Sequence, residues 1–145
     1  MVHSTLADSR RLHRRLGVCV FAGLIAISAY AGAFGLITGW LRLDDITAAR
    51  LPFSSPVLGG IALTVIVAVP ATWLAWLAWR GDPRIEAVEL LTGGLLVGWI
   101  LVELAFIRVI SFFHPTYLVI GVILIWLGRH GAASLRKMLM HRQGR

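Results

Sequence analysis

Three apolar blocks, Leu16–Leu41, Val57–Trp79 and Ala87–Phe113, each exceed the roughly 20 residues a helix needs to cross a ~30 Å hydrocarbon layer. In that layer every backbone N–H and C=O must find a partner inside the protein, so blocks of this kind fold as helices. A fourth block, Pro115–Leu127, has 13 residues and reaches across only by continuing through "GRHGAASL". These blocks predict an all-α polytopic membrane protein with four transmembrane helices in an antiparallel bundle. The expected order is a basic N-terminus over 1–15, spans at 16–41, 57–79, 87–113 and 115–135, and a basic tail over 136–145. An outer loop at 42–56 and a cytoplasmic turn at 80–86 join the first three spans.

The charge content agrees with that reading. Only 14% of the 145 residues are charged, against about a quarter in a soluble domain, and mean hydropathy is +0.81. The charges sit in islands between the apolar blocks. With the N-terminus inside, eleven cations face the cytoplasm: Arg10, Arg11, Arg14, Arg15, Arg80, Arg84, Arg129, Arg136, Lys137, Arg142 and Arg145. Three, Arg42, Arg50 and Arg108, face out, so the positive-inside rule places both termini in the cytoplasm. The net charge of +7 is therefore assigned to lipid headgroups, and no nucleic-acid partner is expected.

"RRLHRR" followed by an apolar run and "AYAGA" has the outline of a cleavable signal peptide, but the run continues to Leu41, which predicts an uncleaved first span. Cys19 has no second cysteine to pair with and reads as a small buried apolar residue. Trp73, Trp76 and Trp79 descend one side of the second span to Arg80 as an interfacial aromatic belt, with Trp73 expected to pack against protein, and Trp40 marks the opposite interface.

Small residues at intervals of four let membrane helices approach closely. Ala31, Gly35 and Gly39 in the first span and Gly94 and Gly98 in the third are the candidate packing faces, within the chain or in a dimer. Pro70 removes a backbone hydrogen bond in mid-span and predicts a kink that leaves the carbonyl of Ile66 without its usual donor. In the outer loop, Asp44 and Asp45 read as the cap of a short helix containing "ITAAR" rather than a cation site, and "PFSSP" reads as an extended re-entry. "RGDPR" is a tight turn.

The polar residues inside the spans are the candidate functional groups. Glu89 lies near the cytoplasmic end of the third span and is expected to reach headgroups. Glu103 lies deeper, where an ionised carboxylate costs about 2.5–3.5 kcal/mol and must face protein or water. Arg108, five residues on, points to another helix face and is expected to snorkel outward. If the last two spans reverse at "FFHP", Glu103 falls level with Trp126 and less than a turn from Arg129. A pair between Glu103 and Arg129 or His130 is the expectation that follows. His114, before Pro115, reads as an interface residue with Glu103 as its one plausible partner for proton relay.

At "LPFSSPVLGG", "GWILVELAFI" and "HPTYLVIGVIL" the chain resembles a group of small four-helix bacterial membrane proteins, frequent in actinobacteria, that lack an assigned function. The resemblance covers about residues 17–128 and implies a bacterial inner-membrane protein of four spans. It implies no catalytic residues.

No nucleophile, base and acid are grouped, and no metal cluster or phosphate loop is present in the sequence, so neither cofactor nor metal is expected. The leading expectation is a non-catalytic accessory or scaffold subunit, partnered by the bilayer and by a membrane protein or further copies of itself. The alternative is a small oligomeric transporter using Glu103 as its ion or proton group and Pro70 as a hinge. An enzyme acting on lipid or quinone ranks third.

Overall fold

The computed structural model describes residues 2–43, 45–50, 54–107 and 113–143. They are all-helical, with no strand among the described residues: α1 (Val2–Thr38), α2 (Asp45–Arg50), α3 (Pro56–Leu63), α4 (Val69–Arg80), α5 (Ile85–Ile107) and α6 (Phe113–Gln143). A π-helical turn, Thr64–Ala68, joins α3 to α4 without interrupting the helix. Three stretches are long and apolar enough to cross a membrane: Leu12–Thr38, Pro56–Arg80 and Ile85–Ala105. The 31 residues of α6 give it length, but its continuous apolar part is short.

The helix ends follow local chemistry. No proline interrupts residues 2–38, so the basic N-terminus is not a separate tail but the first turns of α1. The basic C-terminal segment likewise continues α6 to Gln143. Ser55 caps α3, its hydroxyl accepting from the backbone N–H of Leu58 at 3.3 Å, with Pro56 in the first helical position. "PFSSP" keeps the expected extended backbone at Ser55 and passes into a helix at Pro56; 51–53 and Asp44 lie outside the described residues, as does Arg108. The short helix around "ITAAR" is present as α2. In "RGDPR", Gly81 is left-handed (φ 68°). The N–H of Gly81 bonds Ala78 O, and that of Asp82 bonds Leu77 O, which closes the last turn of α4.

Pro70 acts through the turn before it. The N–H of Val69 bonds Thr64 O, five residues back, so the helix widens over Thr64–Ala68. Thr64 and Thr72 donate to Gly60 O and Ala68 O, and Thr92 of α5 donates to Pro70 O at 3.4 Å.

The helices pack in sequence order: α1 on α3, the π turn and α4; α4 on α5; and α5 on α6 most extensively. In lipid, packing contacts rather than release of water hold such helices together. The seam on α1 is made by Ala22, Ala26, Ala29 and Ala33, all buried, against Ala68 and Ala71. Gly60 lies so close to α1 that a Cβ there would come within 2.8 Å of Ala33 O. Between α5 and α6, Cβ atoms on Gly93, Gly121 and Gly128 would come within 2.7 Å of Gly121 O, 3.1 Å of Gly93 O and 2.9 Å of Glu86 O, respectively.

These are not the small residues that the four-residue spacing singles out. Ala31 is exposed, Gly39 ends α1 in a left-handed conformation (φ 73°), and Gly94 and Gly98 face open space. Gly35 is buried, but what it accommodates is Leu41, whose N–H returns to Gly35 O at 2.9 Å. Trp73, expected against protein, is 44% exposed on the outside of the bundle.

Replacing Gly93 by Val is expected to lower stability by about 1–3 kcal/mol through overpacking, while Gly94→Val, its neighbour on the open side, stays near neutral. Unfolding of both variants in the same detergent, followed by loss of helical circular dichroism, separates the two faces.

Candidate functional site

Two polar clusters are built into the bundle, one toward each end. The first centres on Arg14 of α1. Its Nη2 donates to Glu89 Oε2 at 2.8 Å and to the carbonyl of Leu127 at 3.2 Å, while Nη1 lies 3.9 Å from Glu86 Oε1. One guanidinium thus ties α1 to α5 and α6. Glu86 and Glu89, three apart, share a face of α5. The Glu89 side chain is 0% exposed, which corrects the expectation that it reaches headgroups. A carboxylate with no access to solvent needs a counter-charge held by the protein, and α1 supplies it.

The second cluster joins Glu103 to His114. Glu103 Oε2 lies 3.7 Å from His114 Nε2, with 28% and 10% of the side chains exposed, and the Trp99 indole one turn back hydrogen-bonds Glu103. His114 is held in the first turn of α6, where Pro115 fits because the first N–H groups of a helix have no acceptor in any case.

Arg129 and His130 lie elsewhere. Arg129 is exposed, and His130 Nδ1 is 2.9 Å from Trp126 O with the His130 ring 4.3 Å from that of Trp126. The cause is register. Gly121 packs against Val97, and Gly128 against Leu90. Carried six residues further along each helix, that pairing sets Glu103 opposite Pro115, beside His114. A reversal centred on "FFHP" would have shifted α6 by about three turns.

Between the clusters the polar contacts are local. The hydroxyls of Ser28 (α1) and Tyr117 (α6) are 2.7 Å apart, and Thr72 donates to Tyr30 at 3.4 Å. Ala22, Ala68, Ala71, Leu74 and Leu124 are 0% exposed and Leu96 2%, so this middle layer is mostly apolar, with the buried Thr92 hydroxyl turned to the Pro70 carbonyl. Among the described residues no three His, Cys, Asp or Glu converge as metal ligands. Cys19 is half-buried against the core.

Reading the residues one at a time missed Arg14, because its partners lie 75 and 113 residues away. A usable signal was present: a single acidic pair, Glu86 and Glu89, at the same membrane depth as one of two adjacent arginines.

No protein-family model, no curated protein and no solved structure matches the chain.

Removing Arg14 while leaving Glu89 in place strands a buried charge, and Arg14→Ala is expected to cost about 3–5 kcal/mol. The double variant Arg14→Met, Glu89→Leu restores much of that loss, since an apolar pair of similar size can replace a buried ion pair with little penalty. A double-mutant cycle on thermal unfolding in detergent checks this, with additive effects as the contrary result.

Proposed function

We propose that the chain is a non-catalytic integral membrane protein, a four-span antiparallel bundle that serves as an accessory or scaffold subunit of a larger membrane assembly. The observation that carries the reading is the filled middle layer. With Ala22, Ala68, Ala71, Leu74, Leu96 and Leu124 all at 2% exposure or less, the described layer between the two clusters is closely packed and mostly apolar. The perimeter is made of large apolar side chains such as Leu24, Ile27, Phe34, Val65 and Leu101, a surface suited to lipid and to other membrane helices.

The contact of Arg14 with Glu89 and Leu127, and of Arg15 with Gly81, supports the topology by gathering Arg14, Arg15 and Arg80 at one end. By the positive-inside rule that end is cytoplasmic and both termini share it. The opposed order of the α5 and α6 contacts supports α6 as the fourth span. A bacterial inner membrane is the location that the sequence resemblance favours.

One observation favours a second reading. Glu103 and His114 form an ionisable pair at the outer end of the third span, and in a homo-oligomer they are placed to bind a proton or cation.

Extraction into native nanodiscs, followed by mass measurement and identification of what comes with the protein, is expected to yield a stoichiometric heteromeric partner. A pure homo-oligomer would favour the second reading. In that case proton flux into liposomes should be lost in Glu103→Gln while the oligomer stays intact.

A further inference from the structure

A cleft of about 280 Å³ opens between α1 and α4 at the end of the bundle that carries Arg14. Arg15 and Arg80 line it, together with Leu12, Leu16, Cys19 and Trp79. We propose that this cleft is a binding site for an acidic phospholipid, with its headgroup phosphate between the guanidinium groups of Arg15 and Arg80.

Both cations are held in place by contacts that leave their charge uncompensated. Arg15 packs on Gly81, where an added Cβ would come within 2.5 Å of its Nη1. What favours glycine at position 81 is its left-handed φ of 68°. Arg80 stands over the ring of Trp76 with its Cζ 4.3 Å from the centroid, which orients the guanidinium but does not neutralise it. Among the described residues neither has a carboxylate partner, and no acidic side chain lines the cleft. Of the acids close to the cleft whose side chains are described, Glu86 and Glu89 face Arg14, and Asp82 accepts from the backbone N–H of Arg84 at 2.8 Å.

The contrast between Arg14 and its neighbour makes the point. One residue along a helix is a rotation of about 100°, so Arg14 turns inward to close the bundle while Arg15 turns to the cleft. Two guanidinium forks are the usual means of gripping phosphate oxygens.

The surroundings select a lipid over a dissolved anion. Leu12 (58% exposed), Leu16 (47%) and Trp79 (77%) flank the cations at the ends of two membrane-spanning stretches. Below them the exposed Val20 and Trp76 continue the apolar surface along α1 and α4, where an acyl chain can lie beneath its headgroup. A soluble phosphate would gain nothing from that surface.

The test uses the full chain in detergent, with native mass spectrometry counting retained phosphatidylglycerol against phosphatidylcholine. The wild type is expected to keep phosphatidylglycerol in preference. Arg15→Ala with Arg80→Ala should cut that preference by about thirtyfold, the combined effect of two cations next to an acidic headgroup. Arg84→Ala with Arg129→Ala, exposed cations outside the cleft, should leave it essentially unchanged, because these cations do not line the cleft and their exposed charge is screened. An equal fall in both double variants would mean diffuse attraction and overturn the site. Full displacement by inorganic phosphate at the same concentration would overturn the lipid assignment. If the Arg15 and Arg80 variant does not fold, the wild-type comparison decides: no preference for phosphatidylglycerol over phosphatidylcholine refutes the proposal.

Discussion

A guanidinium shared among three helices sets the terms for this bundle. Glu89 is fully enclosed, and an enclosed carboxylate is tolerated only beside a cation held by the same structure. Arg14 meets that requirement, and the same Nη2 also donates to the Leu127 carbonyl, so the spacing of α1, α5 and α6 is set by the reach of one side chain. Sequential packing brings α1 to α4, α4 to α5 and α5 to α6. It does not bring the first helix to the last. That closure comes from polar contacts, Arg14 at one end and the Ser28–Tyr117 hydroxyl pair further along.

The two ends of the molecule then take different characters. One is basic, with Arg14 committed to structure and Arg15 and Arg80 facing outward. The other carries Glu103 and His114 in partial exposure. Between them, among the described residues, lies a layer of mostly alanine and leucine, with Thr92 as its buried hydroxyl.

The existence and order of the long helices were legible in the sequence from their apolar runs, but α1 begins at Val2 and α6 runs to Gln143, well beyond the apolar parts that marked them. The spans read as 57–79 and 87–113 correspond to Pro56–Arg80 and Ile85–Ile107. Which faces meet was not legible. The pair Gly94 and Gly98 has the spacing of a packing motif, yet the contact is made by Gly93, one residue away and about 100° around the helix. In a span that is apolar on all sides, no polarity contrast marks the inner face. Arg129 and His130 were favoured over His114 beside Glu103 for a related reason. Pro115 looked like the centre of a turn, but proline in a first helical turn is equally at home, and that placement moves the α6 register toward His114.

The arrangement around Arg14 also has a temporal side. Arg14 leaves the ribosome 75 residues before Glu89 and 113 before Leu127. At 5–20 residues per second, the first helix waits about 4–15 s for its counter-charge and about 6–23 s for the carbonyl. During that interval its guanidinium has only headgroups and water to answer it. In the membrane protein proposed above, the first helix enters the bilayer with its basic end at the surface, and α1 gains both polar partners only when α5 and α6 have been made. A nascent chain stalled before Glu89 would hold α1 through α4 without the carboxylate that answers Arg14.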